Sequence, residues 1–221
     1  MYSKKLLQHI VVDSTGAYTE LCNIGRLSQT DKTPYGNKDI GLHRHPYTAV
    51  YSTLFAPLKN KEIQMAEIGV AGGGSVIMWW NYFQNPKTRL CFFDRDDNFL
   101  QNIRNMRFSR EPYLGLVDVS LEGDTARALG AADGLYDIVI DDSSHDFDDQ
   151  IRIVKESWPL IKPGGYIIVE DIFRAESEER YEDALRPILE EAATAYFVVC
   201  NHEERYSPGW NNDKLLVLVK A

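Results

Sequence analysis

A-E-I-G-V-A-G-G-G-S-V, residues 66–76, is the most informative stretch of this sequence. A strand-like apolar run enters a turn with glycine at positions 69, 72, 73 and 74, and a helix is predicted to begin near Ser75. Because glycine has no Cβ, such a turn lets backbone N–H groups approach a ligand closely. The stretch therefore predicts a strand, a nucleotide-type binding turn and a helix.

Strand-like and helical runs alternate along the rest of the chain, as expected for a parallel sheet covered by helices on both faces. Strands are predicted at 63–68, 89–93, 114–119, 137–141, 165–169, 195–200 and 214–219. The other predicted elements are one or two short helices in 1–30, a polar loop or lid at 28–46, and helices at 45–58 and 177–193.

These elements predict an α/β fold, a Rossmann-like doubly wound sheet with helices on both faces. No linker, internal repeat or low-complexity segment divides the sequence. We interpret it as a single domain over residues 1–221, with a short N-terminal helical cap and lid at 1–58 and a core at 59–221.

Composition limits the functions open to this chain. Of 221 residues, 44% are hydrophobic and 26% are charged, which fits one globular unit with a sizeable core. The formal net charge of −9 disfavours binding to nucleic acid or to an anionic membrane surface. The 3 cysteines are far apart and form no CxxC motif, which predicts a reducing compartment. No signal-peptide pattern and no membrane-length apolar run is found, so we expect a soluble, cytoplasmic protein.

The residues in and around the glycine turn limit the class of ligand that it can bind. The glycine spacing differs from the dinucleotide motif G-x-G-x-x-G, which weakens an interpretation as an NAD site. Asp94 ends the next predicted strand in F-F-D, where a carboxylate can accept hydrogen bonds from a ribose diol. Turn and acid together predict a cofactor that contains a nucleoside.

Four motifs in residues 60–221 resemble the class I S-adenosylmethionine-dependent methyltransferases: E-I-G-V-A-G-G-G-S, F-F-D, E-G-D-T and a strand that ends in D-D. The resemblance implies a mostly parallel sheet with one antiparallel C-terminal strand. It also implies Glu67 near the methionine moiety, Asp94 on the ribose and Asp124 beside the adenine. The residues expected to bind the cofactor are Glu67, Gly69, Gly72, Asp94, Asp124 and Asp141.

A second set of motifs is similar to the metal-dependent sugar O-methyltransferases that act on macrolide glycosides, of the mycinose type. These are T-D-K followed by H-R-H-P-Y, the strand followed by D-D-S-S-H, the strand followed by E-D, and N-D-K-L-L-V-L. This resemblance implies a divalent cation, usually Mg²⁺, held by acids that match Asp142, Glu170 or Asp171. It also implies a general base that matches His145.

The same acids are predicted to meet on geometric grounds. Parallel strands direct their carboxyl ends to one edge of a sheet, so Asp142, Glu170 and Asp171 should converge there. Clustered carboxylates repel one another, and a proton, an amine or a metal cation must compensate them. Oxygen ligands suit Mg²⁺, Mn²⁺ or Ca²⁺ better than Zn²⁺. His145 follows Asp142 closely and is placed to act as a general base, while Asp142 is the second predicted catalytic residue.

The preferred interpretation is metal-dependent O-methylation of a sugar or glycoside hydroxyl, with S-adenosylmethionine and Mg²⁺ or Mn²⁺ as cofactors. Two alternatives stay open: metal-independent N-methylation of an amino sugar, and a nucleotide-linked oxidoreductase or binding module. The expected partner is a small molecule, either a sugar, a nucleotide sugar or a glycoside, and the sequence leaves a homo-oligomer open. Weaker candidates for the site are Lys32, His43, His45, Tyr47 and Trp210.

Overall fold

An 8-stranded sheet forms the centre of the protein in a computed structural model that describes residues 7–36, 38 and 43–221. The strands are β1 (Gln8–Asp13), β2 (Gln64–Ile68), β3 (Arg89–Asp94), β4 (Tyr113–Leu116), β5 (Tyr136–Asp141), β6 (Ile161–Ile172), β7 (Ala192–Asn201) and β8 (Lys214–Lys220). The helices are α1 (Glu20–Ser28), α2 (Tyr47–Phe55), α3 (Gly74–Tyr82), α4 (Asp97–Arg104), α5 (Asp124–Gly130), α6 (Phe147–Ser157) and α7 (Glu178–Glu191).

The strand order is β1-β7-β8-β6-β5-β2-β3-β4. β8 runs antiparallel to both of its neighbours, β6 and β7, and every other pairing is parallel. The predicted fold class, a mostly parallel sheet with one antiparallel C-terminal strand, is confirmed.

The N-terminal region differs from the prediction of short helices alone. Residues 8–13 form β1, which pairs in parallel with β7 at the edge of the sheet, and within residues 7–30 the helix is α1. The sequence H-I-V-V-D has the β-branched residues of a strand, but its partner lies at the other end of the chain. Positions 1–6 of the predicted cap and positions 37 and 39–42 of the predicted lid lie outside the described residues.

Helices cover both faces of the sheet because strand side chains alternate between two apolar layers. On β5, Val139 faces a layer with α5, α6 and α7, whereas Ile138 and Ile140 face a second layer with α1 to α4. Trp79 of α3 is fully buried in the second layer. Among the described residues, no helix has the length and apolarity that a membrane crossing requires.

The carboxyl ends of the parallel strands form one edge, where the loops are tied to the sheet. The backbone N–H of Gly69 donates to Phe93 O at 2.8 Å, and that of Asp142 donates to Ile68 O at 2.8 Å. The turns that follow β2 and β5 are therefore neighbours, as expected at the ligand-binding edge of a doubly wound sheet.

Candidate active site

A cavity of about 1080 Å³ opens at this edge of the sheet. It is bounded by the glycine turn after β2, the ends of β3 and β4, and residues 28–31 of the N-terminal segment. Its remaining side is the acid-rich turn between β5 and α6, residues 142–146. The predicted site residues that line it are Gly69, Gly72, Asp94, Asp142, His145 and Asp171, together with the weaker candidates His43 and Trp210. The sheet therefore brings the predicted cofactor turn and the predicted catalytic turn to one cavity.

Asp94 organises the glycine turn from the neighbouring strand. Its Oδ2 accepts hydrogen bonds from the backbone N–H groups of Val70 at 2.9 Å and Ala71 at 3.2 Å. Its Oδ1 accepts from the N–H of Asp96 at 2.9 Å. Asp94 also lines the cavity, so one carboxylate both shapes the turn and faces the space where a ribose would lie.

The glycine turn touches the acid-rich turn directly. Gly69 has φ +89°, and a Cβ built on it would lie 2.0 Å from the carbonyl oxygen of Asp142. Only glycine allows this approach, because other residues strain at that φ and carry the obstructing atom. At Gly72 nothing lies within 4 Å of an added Cβ, so this glycine keeps space open at the cavity instead.

Asp142, His145 and Asp171 form a compact group of ligating atoms. Each offers one atom, and these atoms all lie within 4.8 Å of one another. The backbones of His145 and Asp171 are left-handed, with φ 59° and 57°. Residues other than glycine adopt this conformation at an energetic cost, and such strain is typical of functional sites. Two carboxylates and one imidazole are a donor set that fits a divalent cation.

Asp171 is held from the N-terminal segment. The hydroxyl of Tyr47 donates to its Oδ1 at 2.6 Å, while the Nε2 atoms of His45 and His145 each lie 3.7 Å from its Oδ2. His45 Nδ1 in turn lies 2.9 Å from the buried Asp213. Burial alone would lower the pKa of His45, but the hydrogen bond with Asp213 and the charge of Asp171 outweigh it and raise that pKa.

Lys32 is only 1% exposed and lies in a group of four carboxylates that we call the acid cluster: Glu67, Asp142, Glu170 and Asp171. Its ammonium donates to Asp142 and, at 2.6 Å, to Glu170, and it lies 3.2 Å from Glu67 Oε1. The hydroxyl of Tyr51 donates to the other oxygen of Glu170. Burial favours a neutral amine, yet the surrounding carboxylates keep the pKa of Lys32 well above its ordinary value.

In this structure the positive charge that compensates the predicted carboxylates is thus the ammonium of Lys32. Both oxygens of Glu170 accept hydrogen bonds from protein donors, so a metal bound by Glu170 would share these oxygens with Lys32 or Tyr51. Burial raises the pKa of Glu170 to about 7 although Lys32 opposes the shift. Burial also raises the pKa of Asp142 well above its ordinary value, again against the charge of Lys32. By contrast, burial lowers the pKa of His145, which favours the neutral imidazole that a base requires.

Three predicted cofactor residues do not line the cavity. Glu67 is fully buried against Lys32. Asp124 begins α5 and accepts from the N–H of Asp118 at 2.8 Å, so it holds a loop whose residue Asp118 does face the cavity. Asp141 is buried at the end of β5, where its Oδ1 accepts from the hydroxyl of Ser143 at 2.6 Å. Adjacent strand residues point to opposite faces, which separates Asp141 from Asp142.

The N-terminal segment contributes more contacts to the site than the sequence predicted, because Lys32 and Tyr47 bind its carboxylates. The T-D-K and H-P-Y motifs signalled it, but they predicted a lid rather than residues inside the acid cluster. Asp213 lies in the N-D-K-L-L-V-L motif, but no role in the site was predicted for it. Tyr51 carries no such signal, because it looks like a core aromatic residue of α2. Trp210 is 46% exposed at the rim of the cavity, with its ring centroid 6.3 Å from that of His145.

The sheet order, the glycine turn with its acid, and the acid-rich turn at the same edge define the class I methyltransferase fold. Residues 66–172 match a family model described as Methyltransferase domain.

Curated relatives and a solved structure are similar to this chain. The 8-demethyl-8-alpha-L-rhamnosyl tetracenomycin-C 2'-O-methyltransferase of Streptomyces olivaceus is 36% identical over 137 residues, which cover 58% of this chain and 33% of that protein. The demethylmacrocin O-methyltransferase of Streptomyces fradiae is 28% identical over 139 residues, which cover 59% of this chain and 33% of that protein. The chain therefore spans about a third of the length of these relatives.

The MycE methyltransferase from the mycinamycin biosynthetic pathway, solved in complex with Mg and SAH, has the same fold. It aligns with a TM-score of 0.65 at 19% identity, over 92% of this chain and 55% of that one.

Proposed function

We propose that this protein is an S-adenosylmethionine-dependent O-methyltransferase that acts on a hydroxyl of a sugar or glycoside with the help of a divalent cation. The observation that carries the proposal is the contact of the two turns, since Gly69 of the cofactor turn lies against the backbone of Asp142 in the acid-rich turn. The names of the curated relatives, sugar O-methyltransferases of antibiotic glycosides, support this acceptor class. The proposal treats residues 1–58 and 59–221 as one methyltransferase domain, because Lys32 and Tyr47 complete the acid cluster.

The cofactor would occupy the part of the cavity between the glycine turn and the ends of β3 and β4. S-adenosylmethionine supplies an electrophilic methyl group on a sulfonium. Asp94 is placed to accept from a ribose, and the open space at Gly72 lets a ligand approach the backbone. Residues 28–31 also line the cavity.

A divalent cation would be held by Asp142 and Asp171, which lie at the carboxyl ends of neighbouring strands. Such a cation would supply Lewis-acid chemistry that makes an acceptor hydroxyl more acidic. Glu170 remains a predicted further ligand, and in this structure it contacts Lys32 instead.

His145 is the proposed base. It lines the cavity beside Asp171, and burial lowers its pKa so that the ring is neutral near pH 7. The ring nitrogen that carries no proton can take the proton of a hydroxyl as that oxygen attacks the methyl group. Because both turns are fixed to the sheet, the acceptor and the methyl donor are held in place for an in-line displacement.

The test is methyl transfer from S-adenosylmethionine to a panel of glycosides and nucleotide sugars, followed by mass spectrometry. The assay is run with EDTA and then with Mg²⁺ or Mn²⁺ restored. We expect O-methylated sugars that form only when the cation is present. Full activity of demonstrably metal-free protein on an amino sugar would support the N-methylation alternative, and failure to bind S-adenosylmethionine would reject both.

A further inference from the structure

We propose that Lys32 is a resident counter-cation of the acid cluster, which keeps the cluster assembled without metal and competes with a divalent cation for Asp142 and Glu170. The inference rests on the proposed cation site, but it concerns the metal-free protein and its test involves no methyl transfer. It assigns Lys32 a role in positioning the cluster and in setting its affinity for the cation.

The contacts of the ammonium are unusual in their number and burial. Lys32 meets carboxylates from the ends of three parallel strands: Glu67 on β2, Asp142 after β5 and Glu170 on β6. Lys32 and Glu170 are each 1% exposed, and Glu67 is fully buried. Among the described residues, neither oxygen of Glu67 has a hydrogen-bond partner. The ammonium is therefore the main compensation for this buried negative charge.

The position of Lys32 in the chain gives the contact a structural consequence. Its carbonyl accepts a hydrogen bond at 3.1 Å from the N–H of Tyr47, the first residue of α2. Residues 28–31, which precede Lys32 in the chain, line the cavity. One side chain thus joins the wall of the cavity to three strands of the sheet. Removing the charge would leave three carboxylates facing one another, which destabilises a protein far more than removing both partners of an ion pair.

The same contacts place the ammonium in competition with a metal. Lys32 donates to Asp142 Oδ2 and Glu170 Oε2, so an ion bound to either carboxylate would share its negative charge with the ammonium. Lys32 also repels any cation bound beside Asp142, because two positive charges a few ångströms apart interact strongly in a buried site. Loss of this charge should strengthen divalent cation binding.

Lys32→Met tests this, because methionine keeps most of the volume and removes the charge. In EDTA we expect the melting temperature to fall by about 10 °C, since a buried ion pair is broken. Calorimetric titration with Mn²⁺, in the absence of S-adenosylmethionine, should show affinity at least about tenfold tighter than in the wild type. Saturating Mn²⁺ should restore most of the lost melting temperature.

Lys214→Met is the matched control. Lys214 is equally buried, at 1% exposed, but its ammonium donates to the backbone carbonyls of Arg174 and Glu176 and does not touch the cluster. This variant should also lose stability, but its affinity for Mn²⁺ should stay within about twofold of the wild type.

A second variant keeps the test decisive if Lys32→Met does not fold in EDTA. Lys32→Met combined with Glu170→Gln removes a carboxylate together with the ammonium, so it should fold in EDTA. Because Asp142 then lacks its competing ammonium, this double variant should bind Mn²⁺ more tightly than Glu170→Gln alone, and equal affinity of the two would also overturn the inference. The inference is overturned if Lys32→Met binds Mn²⁺ no more tightly than the wild type, or melts at the wild-type temperature in EDTA. Either result is independent of whether the enzyme methylates a sugar.

Discussion

Gly69→Ala should destabilise the protein by disturbing the contact between the cofactor turn and the acid-rich turn. The new Cβ would lie 2.0 Å from the carbonyl oxygen and 2.6 Å from the carbonyl carbon of Asp142, which are backbone atoms that cannot rotate away. At φ +89° alanine is also strained, at a cost of about 1–3 kcal/mol. Overpacking adds about 1–3 kcal/mol, so we expect a loss of about 2–6 kcal/mol and a fall in melting temperature of about 10 °C.

Thermal unfolding followed by circular dichroism measures the loss of stability. Calorimetric titration with S-adenosylmethionine measures the effect of the substitution on cofactor affinity. Gly72→Ala is the control, because nothing lies within 4 Å of its added Cβ. That variant should melt within about 1–2 °C of the wild type but bind the cofactor less well, since its methyl group enters the cavity. If Gly69→Ala melted at the wild-type temperature, the close approach of the two turns would be wrong.

The remaining predictions concern single carboxylates and the base. Asp94→Ala should weaken S-adenosylmethionine binding about 30- to 150-fold by calorimetry, from loss of a charge-assisted interaction of roughly 2–3 kcal/mol; unchanged affinity in a folded variant would remove Asp94 from the site. His145→Asn should lower the methyl transfer rate about 100-fold near neutral pH while cofactor affinity is kept, and a rate within about threefold of the wild type would reject the base. Burial raises the pKa of Asp141 from 3.8 to about 6, so its carboxyl contributes stability below pH 3.8 that is lost as the pH rises through about 6. Asp141→Asn lacks this loss, so in urea unfolding its stability relative to the wild type should improve by up to about 3 kcal/mol between pH 4 and pH 8, and a pH-independent difference would contradict the assignment.

The sheet was predictable because its strands are short apolar runs separated by turns and helices. Strands β2 to β8 and helices α2 and α7 lie close to their predicted positions. β1 was not predicted, since its pairing with β7 joins the two ends of the chain and leaves Val11 58% exposed at the sheet edge. Local pattern alone does not reveal a partner so distant in sequence.

The acids at the strand ends were predictable for the same reason, but the direction of each side chain was not. Regular alternation would send neighbouring residues to opposite faces, as it does for Asp141 and Asp142. Glu170 and Asp171 depart from it, because the pairing of β6 with β8 shifts register between Val169 and Ile172 and Asp171 has φ 57°. A bulge of this kind re-aims a side chain, and here it brings Asp171 to the cavity.

The charge of the acid cluster explains why an N-terminal segment is needed at the carboxyl edge of the sheet. Strands can bring Glu67, Asp142 and Glu170 together, but they cannot supply the cation that makes their burial tolerable. Lys32 supplies a positive charge to these three carboxylates. Asp142 and Asp171 line the cavity where the acceptor and a divalent cation are proposed to meet. A segment that evolved only as a lid would need no buried lysine; one that completes the electrostatics of the site does.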